Sequence, residues 1–425
     1  MQGRMRRERS GLRILQVPPG DLRVAAEVAG SEQTIFQLSK YLARAGQRVT
    51  IVERLWRGAP EAEETPDGVI IRRSLVSFLP EFALTRRIPF LQSLRRVLNR
   101  SMFGLCVGVP DPIESYDIIQ IHDIFVTIAF VLRCFSRGVC ASNIVYSHHS
   151  SAWPHGGAGV VVSALTKILR LLIGWLRAVT VESGGTRDLL VNAGIPSSKI
   201  YVLPPGRELE EYLVPTDPAK IREVYGLDER PVVLYVGRVI PEKGVDTLIR
   251  AFGFLTHVLN VDAQLVIVGP ESFDSPRSSG YYSASLVSLS RAVGVADKIR
   301  FLGCVAKSDL IKLYNLCSVF VLPSRLETFG SVITEAMAAA KPIIATRTPG
   351  ALMQVRDGWN GYLVDVGDYQ TMAHRIASVL GDRGECERMG RNSLEASRSF
   401  SWDVIVEAYL RLLRFNSNLD DPHHA

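Results

Sequence analysis

Two successive series of short apolar runs, each run followed by an amphipathic segment, constrain this chain more than any single motif does. In the first half, LRILQV, QRVTIVE, GVIIRR, YDIIQIH, SNIVYSH, RAVTVES and KIYVLP read as strands, with helical patterns such as SEQTIFQLSKYLARAG and TRDLLVNAG between them. The series restarts with RPVVLYVGR and continues through AQLVIVG, DKIRFLG, SVFVLPS and KPIIAT. Alternation of this kind predicts parallel sheets covered by helices, and two series predict two doubly wound, Rossmann-like α/β domains. The expected division is residues 1–212 and 213–396, with the junction in the proline- and charge-rich PPGRELEEYLVPTDPAKIREVYGLDERP. Residues 397–425 then form a C-terminal amphipathic helix, SFSWDVIVEAYLRLLRF, packing back on the first domain, and a tail. A cleft between two such domains is the default binding site.

Composition narrows the partners. At 425 residues, 47% apolar and 22% charged, the chain is ordinary for a globular enzyme of two or three domains. A net charge of +6 favours nucleotides, phosphates or acidic lipid surfaces. No zinc spacing, RNP-type aromatic motif or basic heptad region points to nucleic acid. The six cysteines contain no CxxC pair, which reads as reduced thiols in a cytoplasmic chain. The basic start MQGRMRRERSGLRILQV lacks the apolar core of a secretory signal. Lys167, Arg170 and Arg177 interrupt the longest apolar stretch, GVVVSALTKILRLLIGWLRAVTV, so a core helix followed by a strand is expected there rather than a membrane span.

The stretch RLETFGSVITEAMAAAKP lies between two strand-like runs and reads as a loop, Thr328 to Gly330, leading into a helix capped by Ser331. Glu327 falls just past the carboxyl end of a strand, where open parallel sheets bind ligands, and Glu335 about one turn into the helix. Eight helical residues would rise about 12 Å, too far for a carboxylate dyad acting on one bond, which needs about 5–9.5 Å. Two carboxylates gripping separate hydroxyl groups of a long ligand, with a helix amino end between them for phosphate, fit better. The alternative is a surface glutamate followed by a helix glutamate near the positive dipole end.

A second segment, VVLYVGRVIPEKGVDTLIRAF, places Arg238 and Lys243 after a strand and before a helix, a chemically sensible diphosphate site, although solvated surface cations would look the same. It is not a Walker P-loop. In EVAGSEQTIFQL, Gly30 opens a helix and lets the backbone approach a phosphate, but GxGxxG is absent. His122, His148 and His149 end strands on the same side, as polar contacts to a substrate or as packed side chains.

Together these segments resemble the GT-B glycosyltransferases, most closely family 4, the retaining group 1 enzymes. The resemblance runs from AGSEQ through YDIIQIHD and VGRVIPEKGVDTLIRAF to SRLETFGSVITEAMAAAKPIIATRTPG and DGWNGYLVDVGD, and LETFGSVITEA matches the family's E-x7-E motif. It implies an acceptor-side first domain and a second domain that binds a UDP- or GDP-sugar. Glu335 would hold the ribose hydroxyls. Glu327 would face the donor sugar, with Thr328, Phe329 and Gly330 touching sugar and phosphate through backbone NH groups. Arg238 and Lys243 would neutralise the departing diphosphate, Gly30 would sit against it, and His122 would lie near the transferred sugar. The catalytic set implied is Arg238, Lys243, Glu327 and His122, with no metal and no cofactor. Ala29-Gly30 replaces the usual Gly-Gly, and AAAKP departs from the usual small residue plus Gly; neither removes a charged or hydroxyl-binding group.

The expected reaction is transfer of a sugar to a hydroxyl of a glycan or lipid-linked acceptor, in glycan, glycolipid or cell-surface polysaccharide synthesis. A nucleotide-sugar epimerase, which needs no acceptor, and a non-catalytic nucleotide-sugar-binding protein are the rival readings. The segment TRRIPFLQSLRRVLNRSMFG interleaves five arginines with apolar residues, as an interfacial helix on an acidic membrane does, or a core-packed helix with a basic face.

Overall fold

The structure, a computed structural model, describes residues 11–19, 31–55, 58–74, 106, 109, 111–136, 143–149, 167–270 and 276–415. Two compact units divide the chain: one runs to Gly206 and resumes at Trp402, the other is Arg207–Ser401.

The first unit is built on β1 (Arg13–Val17), β2 (Arg48–Arg54), β3 (Ala62–Glu64), β4 (Ile70–Ser74), β5 (Ile118–Ile121), β6 (Ile144–His148), β7 (Ala178–Val181) and β8 (Ile200–Val202). They form one sheet in the order β3-β4-β2-β1-β5-β6-β7-β8, parallel throughout except for the β3–β4 pair. Side chains alternate across a strand, so each run of apolar residues feeds two layers. Ile14, Ile51, Ile118 and Val145 pack under α1 (Ser31–Arg44) and the C-terminal helix (Trp402–Phe415). Leu15, Ile119, Ile121 and Tyr146 pack under α2 (Ile124–Ser136), and α3 (Gly184–Asn192) adds Leu190 to that layer. The C-terminal helix thus completes this unit, contributing Trp402, Ile405, Val406, Tyr409, Leu412 and Leu413, and Trp402 stacks on Tyr41 at 5.6 Å.

The second unit carries β9 (Val232–Val236), β10 (Gln264–Val268), β11 (Ile299–Gly303), β12 (Val319–Leu322), β13 (Ile343–Thr346) and β14 (Gly361–Val364). Their order is β11-β10-β9-β12-β13-β14, all parallel. Numbered within the unit this is 3-2-1-4-5-6, the order in which the winding direction reverses between the first and fourth strands. Around the sheet lie α4 (Pro218–Tyr225), α5 (Val245–His257), α6 (Pro276–Ala292), α7 (Lys307–Leu316), α8 (Ser331–Ala338), α9 (Pro349–Gln354), α10 (Tyr369–Gly381) and α11 (Arg383–Ser397). The strands VVLYV, QLVIV and VFVL are buried along their whole length, as strands covered on both faces must be.

Three local features differ from the sequence expectation. β3, with the sequence AEE, has no apolar signature; it is an exposed antiparallel edge held by Arg73, whose guanidinium reaches Glu63 and Glu53 at 2.7 Å each. β14 begins at Gly361, where a Cβ would stand 1.9 Å from the Ile343 carbonyl oxygen, so close backbone approach as well as the buried Leu363 and Val364 marks that strand. Ser331 does not cap α8: the cap position is Gly330, left-handed at φ 76°, with no side-chain hydrogen bond. Within the junction segment, Leu209 and Tyr212 are buried in the core of the second unit. The basic segment 85–104 and Gly30 lie outside the described residues. Among the described residues, no helix is long and apolar enough to cross a membrane.

Candidate active site

At the reversal point of the second unit, the loops leaving β9 and β12 lie side by side and their side chains interlock. Lys243 follows β9 and Glu327 follows β12; the Lys243 Nζ donates to Glu327 Oε2 at 2.5 Å. Their side chains are only 17% and 10% exposed, so the pair sits largely out of water. A second latch lies beside it. Arg325 forks onto Asp246 with N···O distances of 2.9 and 2.7 Å and also donates to the Pro241 carbonyl oxygen, and its backbone N–H donates to Glu242 O at 2.8 Å. Burial pushes the Asp246 carboxyl upward, but the hydrogen bonds from Arg325 and the Tyr282 hydroxyl outweigh it and hold the group below its ordinary value. Gly244, at φ 66°, is the N-terminal cap of α5, and a Cβ there would stand 2.1 Å from the Pro323 carbonyl oxygen. Only glycine lets the two loops close to this distance.

The loop before α8 is braced from behind. The Gln354 amide donates to Phe329 O at 2.5 Å and its oxygen accepts from the Thr334 hydroxyl at 2.6 Å, while Gly350 N–H donates to Glu327 O at 3.0 Å. Phe329 is buried against Phe400 at 5.5 Å. Among the described residues, the backbone N–H groups of Thr328, Phe329 and Gly330 have no hydrogen-bond partner. Successive free amides at the head of a helix make an anion-binding concavity. Arg238 is exposed and forms no ion pair among the described residues; its backbone is fixed by the Tyr235 hydroxyl, which donates to Arg238 O at 2.8 Å.

Glu335 has a separate set of partners. Its Oε1 accepts from Arg207 Nε at 3.3 Å and its Oε2 from the Tyr314 hydroxyl at 2.9 Å. The two glutamates of the E-x7-E stretch are therefore held by different groups, with no partner in common among the described residues.

In the first unit the carboxyl ends of β1, β5, β6 and β7 carry a buried polar chain. His122 Nε2 meets Gln16 Oε1 at 2.6 Å, and His122 Nδ1 meets His149 Nε2 at 2.7 Å, whose other nitrogen faces Glu182 Oε1 at 2.9 Å. The Gln16 amide nitrogen is turned to Gln120 Oε1 at 3.0 Å, so its oxygen faces His122, which carries its hydrogen on Nε2. His148 is turned to the Tyr146 hydroxyl at 2.7 Å. Both ring nitrogens of His122 are thus taken up by the protein, and the ring offers a ligand no N–H until one partner lets go.

Burial, and then the neighbouring His149, holds His122 well below its ordinary value of 6.5. A depressed pKa means that the unfolded chain takes up a proton the folded chain refuses. Stability contributed here is present above pH 6.5 and is lost as pH falls below it, by about 1.4 kcal/mol per pH unit. His122→Gln is expected to flatten the wild-type decline in unfolding free energy between pH 7.5 and 5.5; an unchanged slope in urea melts would show that His122 is not the group responsible.

Residues 217–396 match the family described as glycosyl transferases group 1, and residues 28–211 match glycosyltransferase family 4. The D-inositol 3-phosphate glycosyltransferase of Kribbella flavida is 31% identical over 420 residues, 94% of either chain. The chain belongs to the group 1, family 4 glycosyltransferases. This glycosyltransferase is also 31% identical, over 64% of its own length and 70% of the relative's, to a GDP-mannose-dependent alpha-(1-6)-phosphatidylinositol monomannoside mannosyltransferase of Mycobacterium tuberculosis. Among solved structures its fold matches sucrose-phosphate synthase from Thermosynechococcus elongatus, with a TM-score of 0.72 and 22% identity over 95% of this chain and 98% of that one. Anabaena HepE in complex with UDP matches at 0.70 and 20%, over 95% and 99%. The GT-B fold expected from the sequence is therefore the observed one.

The glycosyltransferase brings Lys243, Glu327, Thr328, Phe329 and Gly330 together at the reversal point, with Arg238 on the β9 loop of the same junction. Sequence reasoning missed Arg325, Asp246 and Tyr282 as the latch, Gln354 as the brace, and Arg207 and Tyr314 as partners of Glu335. None had a motif to announce it; each acts across 20 to 128 residues of chain. Among the described residues, no group of three or more His, Cys, Asp or Glu is placed to hold a metal ion.

Proposed function

We propose that this glycosyltransferase moves a sugar from a nucleoside diphosphate sugar to a hydroxyl, with retention of configuration and without a metal ion. The observation that carries the reading is the reversal point of the second unit, where the Lys243–Glu327 pair lies beside the unpartnered amides of Thr328, Phe329 and Gly330. An ammonium has three hydrogens, so Lys243 can keep Glu327 and still meet phosphate oxygens. As the glycosidic bond breaks, negative charge grows on the diphosphate. Lys243, held by Glu327, and the amides at the head of α8 are in place before that charge develops, which lowers the barrier without reorganisation during the reaction, and Arg238 adds a second cation from the β9 loop. Glu327 orients Lys243 and faces the sugar, and Glu335 takes the ribose hydroxyls.

The names of the relatives favour GDP-mannose as the first donor to screen, with UDP-sugars next, and an inositol-bearing or lipid-linked glycan hydroxyl as acceptor. Incubation with a panel of GDP- and UDP-sugars, with and without such acceptors, tests the reading. Acceptor-dependent nucleotide release, retained anomeric configuration by NMR and indifference to a chelator are expected. Donor conversion with no acceptor and no released nucleotide would identify an epimerase instead, and donor binding without consumption a binding protein. A membrane-presented acceptor would be met from the cytoplasmic face through the basic segment 85–104. Co-sedimentation with anionic but not neutral vesicles is the expected sign, and equal binding to both would end that proposal.

A further inference from the structure

The carboxylate assigned to ribose is already held on both oxygens before any ligand arrives, and its supports are themselves held by backbone hydrogen bonds and packing. Arg207 approaches Glu335 Oε1 through Nε at 3.3 Å, and the Tyr314 hydroxyl donates to Oε2 at 2.9 Å. Arg207 stands where the chain enters the second unit, and its backbone is tied to the exit: its N–H donates to Phe400 O at 2.8 Å, and Arg207 forms a β-bridge with Ser401. Tyr314 is fully buried in α7, packed edge-on against Tyr212 at 5.9 Å, and Asn315 beside it donates to the Tyr212 carbonyl at 2.9 Å. The Glu335 side chain is 15% exposed, so it still faces outward on one side.

An ionised carboxylate has about four lone-pair sites, two on each oxygen. One on Oε1 is used by Arg207 and one on Oε2 by Tyr314. What remains is one acceptor site per oxygen, side by side, which matches a vicinal diol and not an isolated hydroxyl. We propose that Arg207 and Tyr314 are positioning residues that hold Glu335 in the one orientation able to accept both ribose hydroxyls, and so set the preference for ribo- over 2′-deoxyribonucleoside diphosphates. This rests on the assignment of Glu335 to ribose. Because both supports are fixed by packing and backbone hydrogen bonds, the carboxylate loses little freedom when the diol binds.

The test is calorimetric binding of GDP and UDP, and of dGDP and dUDP, to the full chain. For whichever base binds more tightly, the wild type is expected to favour the ribonucleotide by about 10- to 100-fold, the worth of one hydrogen bond to a charged group. Arg207→Ala and Tyr314→Phe should each bring the ratio towards unity, weakening the ribonucleotide, which loses both hydroxyl contacts, more than the deoxyribonucleotide, which has only its 3′-hydroxyl to lose. A merely structural loss would weaken both nucleotides alike. Tyr314→Phe keeps the ring and its packing, so it serves if Arg207→Ala fails to fold. If Glu335→Ala abolishes the ratio while Arg207→Ala and Tyr314→Phe preserve it, the positioning role is overturned and the ribose assignment stands. If Glu335→Ala leaves the ratio intact, or neither nucleotide binds the wild type, both are overturned.

Discussion

Arg238→Ala and Lys243→Ala are each expected to lower kcat by about 10²- to 10³-fold, the usual consequence of removing one group that stabilises transition-state charge. The two differ in what else they disturb. Arg238 is exposed and forms no ion pair among the described residues, so its loss should leave the unfolding midpoint where it is. Lys243 leaves behind Glu327, whose side chain is 10% exposed and would stay as a nearly buried, uncompensated charge. Lys243→Ala should therefore also lose stability, and Lys243→Ala with Glu327→Gln should recover the stability but not the turnover. Steady-state kinetics alongside thermal melts separates these outcomes. Near-normal kcat in both single variants would remove the two cations from the mechanism.

Gly244→Ala should damage the site through the backbone with no change of charge. A left-handed backbone costs a non-glycine residue about 1–2 kcal/mol. Here the new Cβ would also meet the Pro323 carbonyl oxygen at 2.1 Å, so the β9 and β12 loops must part. That displaces Lys243 from Glu327 and Arg325 from Asp246 together. Gly358→Ala supplies the control, since Gly358 has φ 74° but nothing within 4 Å of an added Cβ. The control should lose only the backbone cost and keep its activity, whereas Gly244→Ala should lose more stability and most of its turnover. Equal losses in the two, by denaturant titration and kinetics, would mean that the close approach of the loops does not matter to the site.

Much of this was legible before any coordinates, and the physical reason is locality. Runs such as VVLYV and VFVL are apolar on both faces, and only a parallel strand covered by helices on either side hides such a surface. The positions of Arg238, Lys243 and Glu327 followed from the strands they come after, because an open parallel sheet delivers its loop residues to one edge. What stayed hidden depended on distant segments. Arg207 reaches Glu335 across 128 residues, and nothing in PPGRELEEY marks it out. β3 is held by Arg73 and not by apolar pattern, and β14 lies where it does because Gly361 has no Cβ to meet the Ile343 carbonyl. His122 was visible as a histidine at a strand end, but its wiring to Gln16 and His149 needed three strands assembled side by side.

The central claim is that the reversal point between β9 and β12 is where a nucleoside diphosphate is held. A crystal structure with GDP or UDP bound tests it most directly. The account requires the diphosphate within hydrogen-bond distance of Arg238, Lys243 and the amides of Thr328 to Gly330, with the ribose diol on the free side of Glu335. A nucleotide bound elsewhere, or one at this point with its ribose turned away from Glu335 and its phosphates clear of both cations, would contradict it.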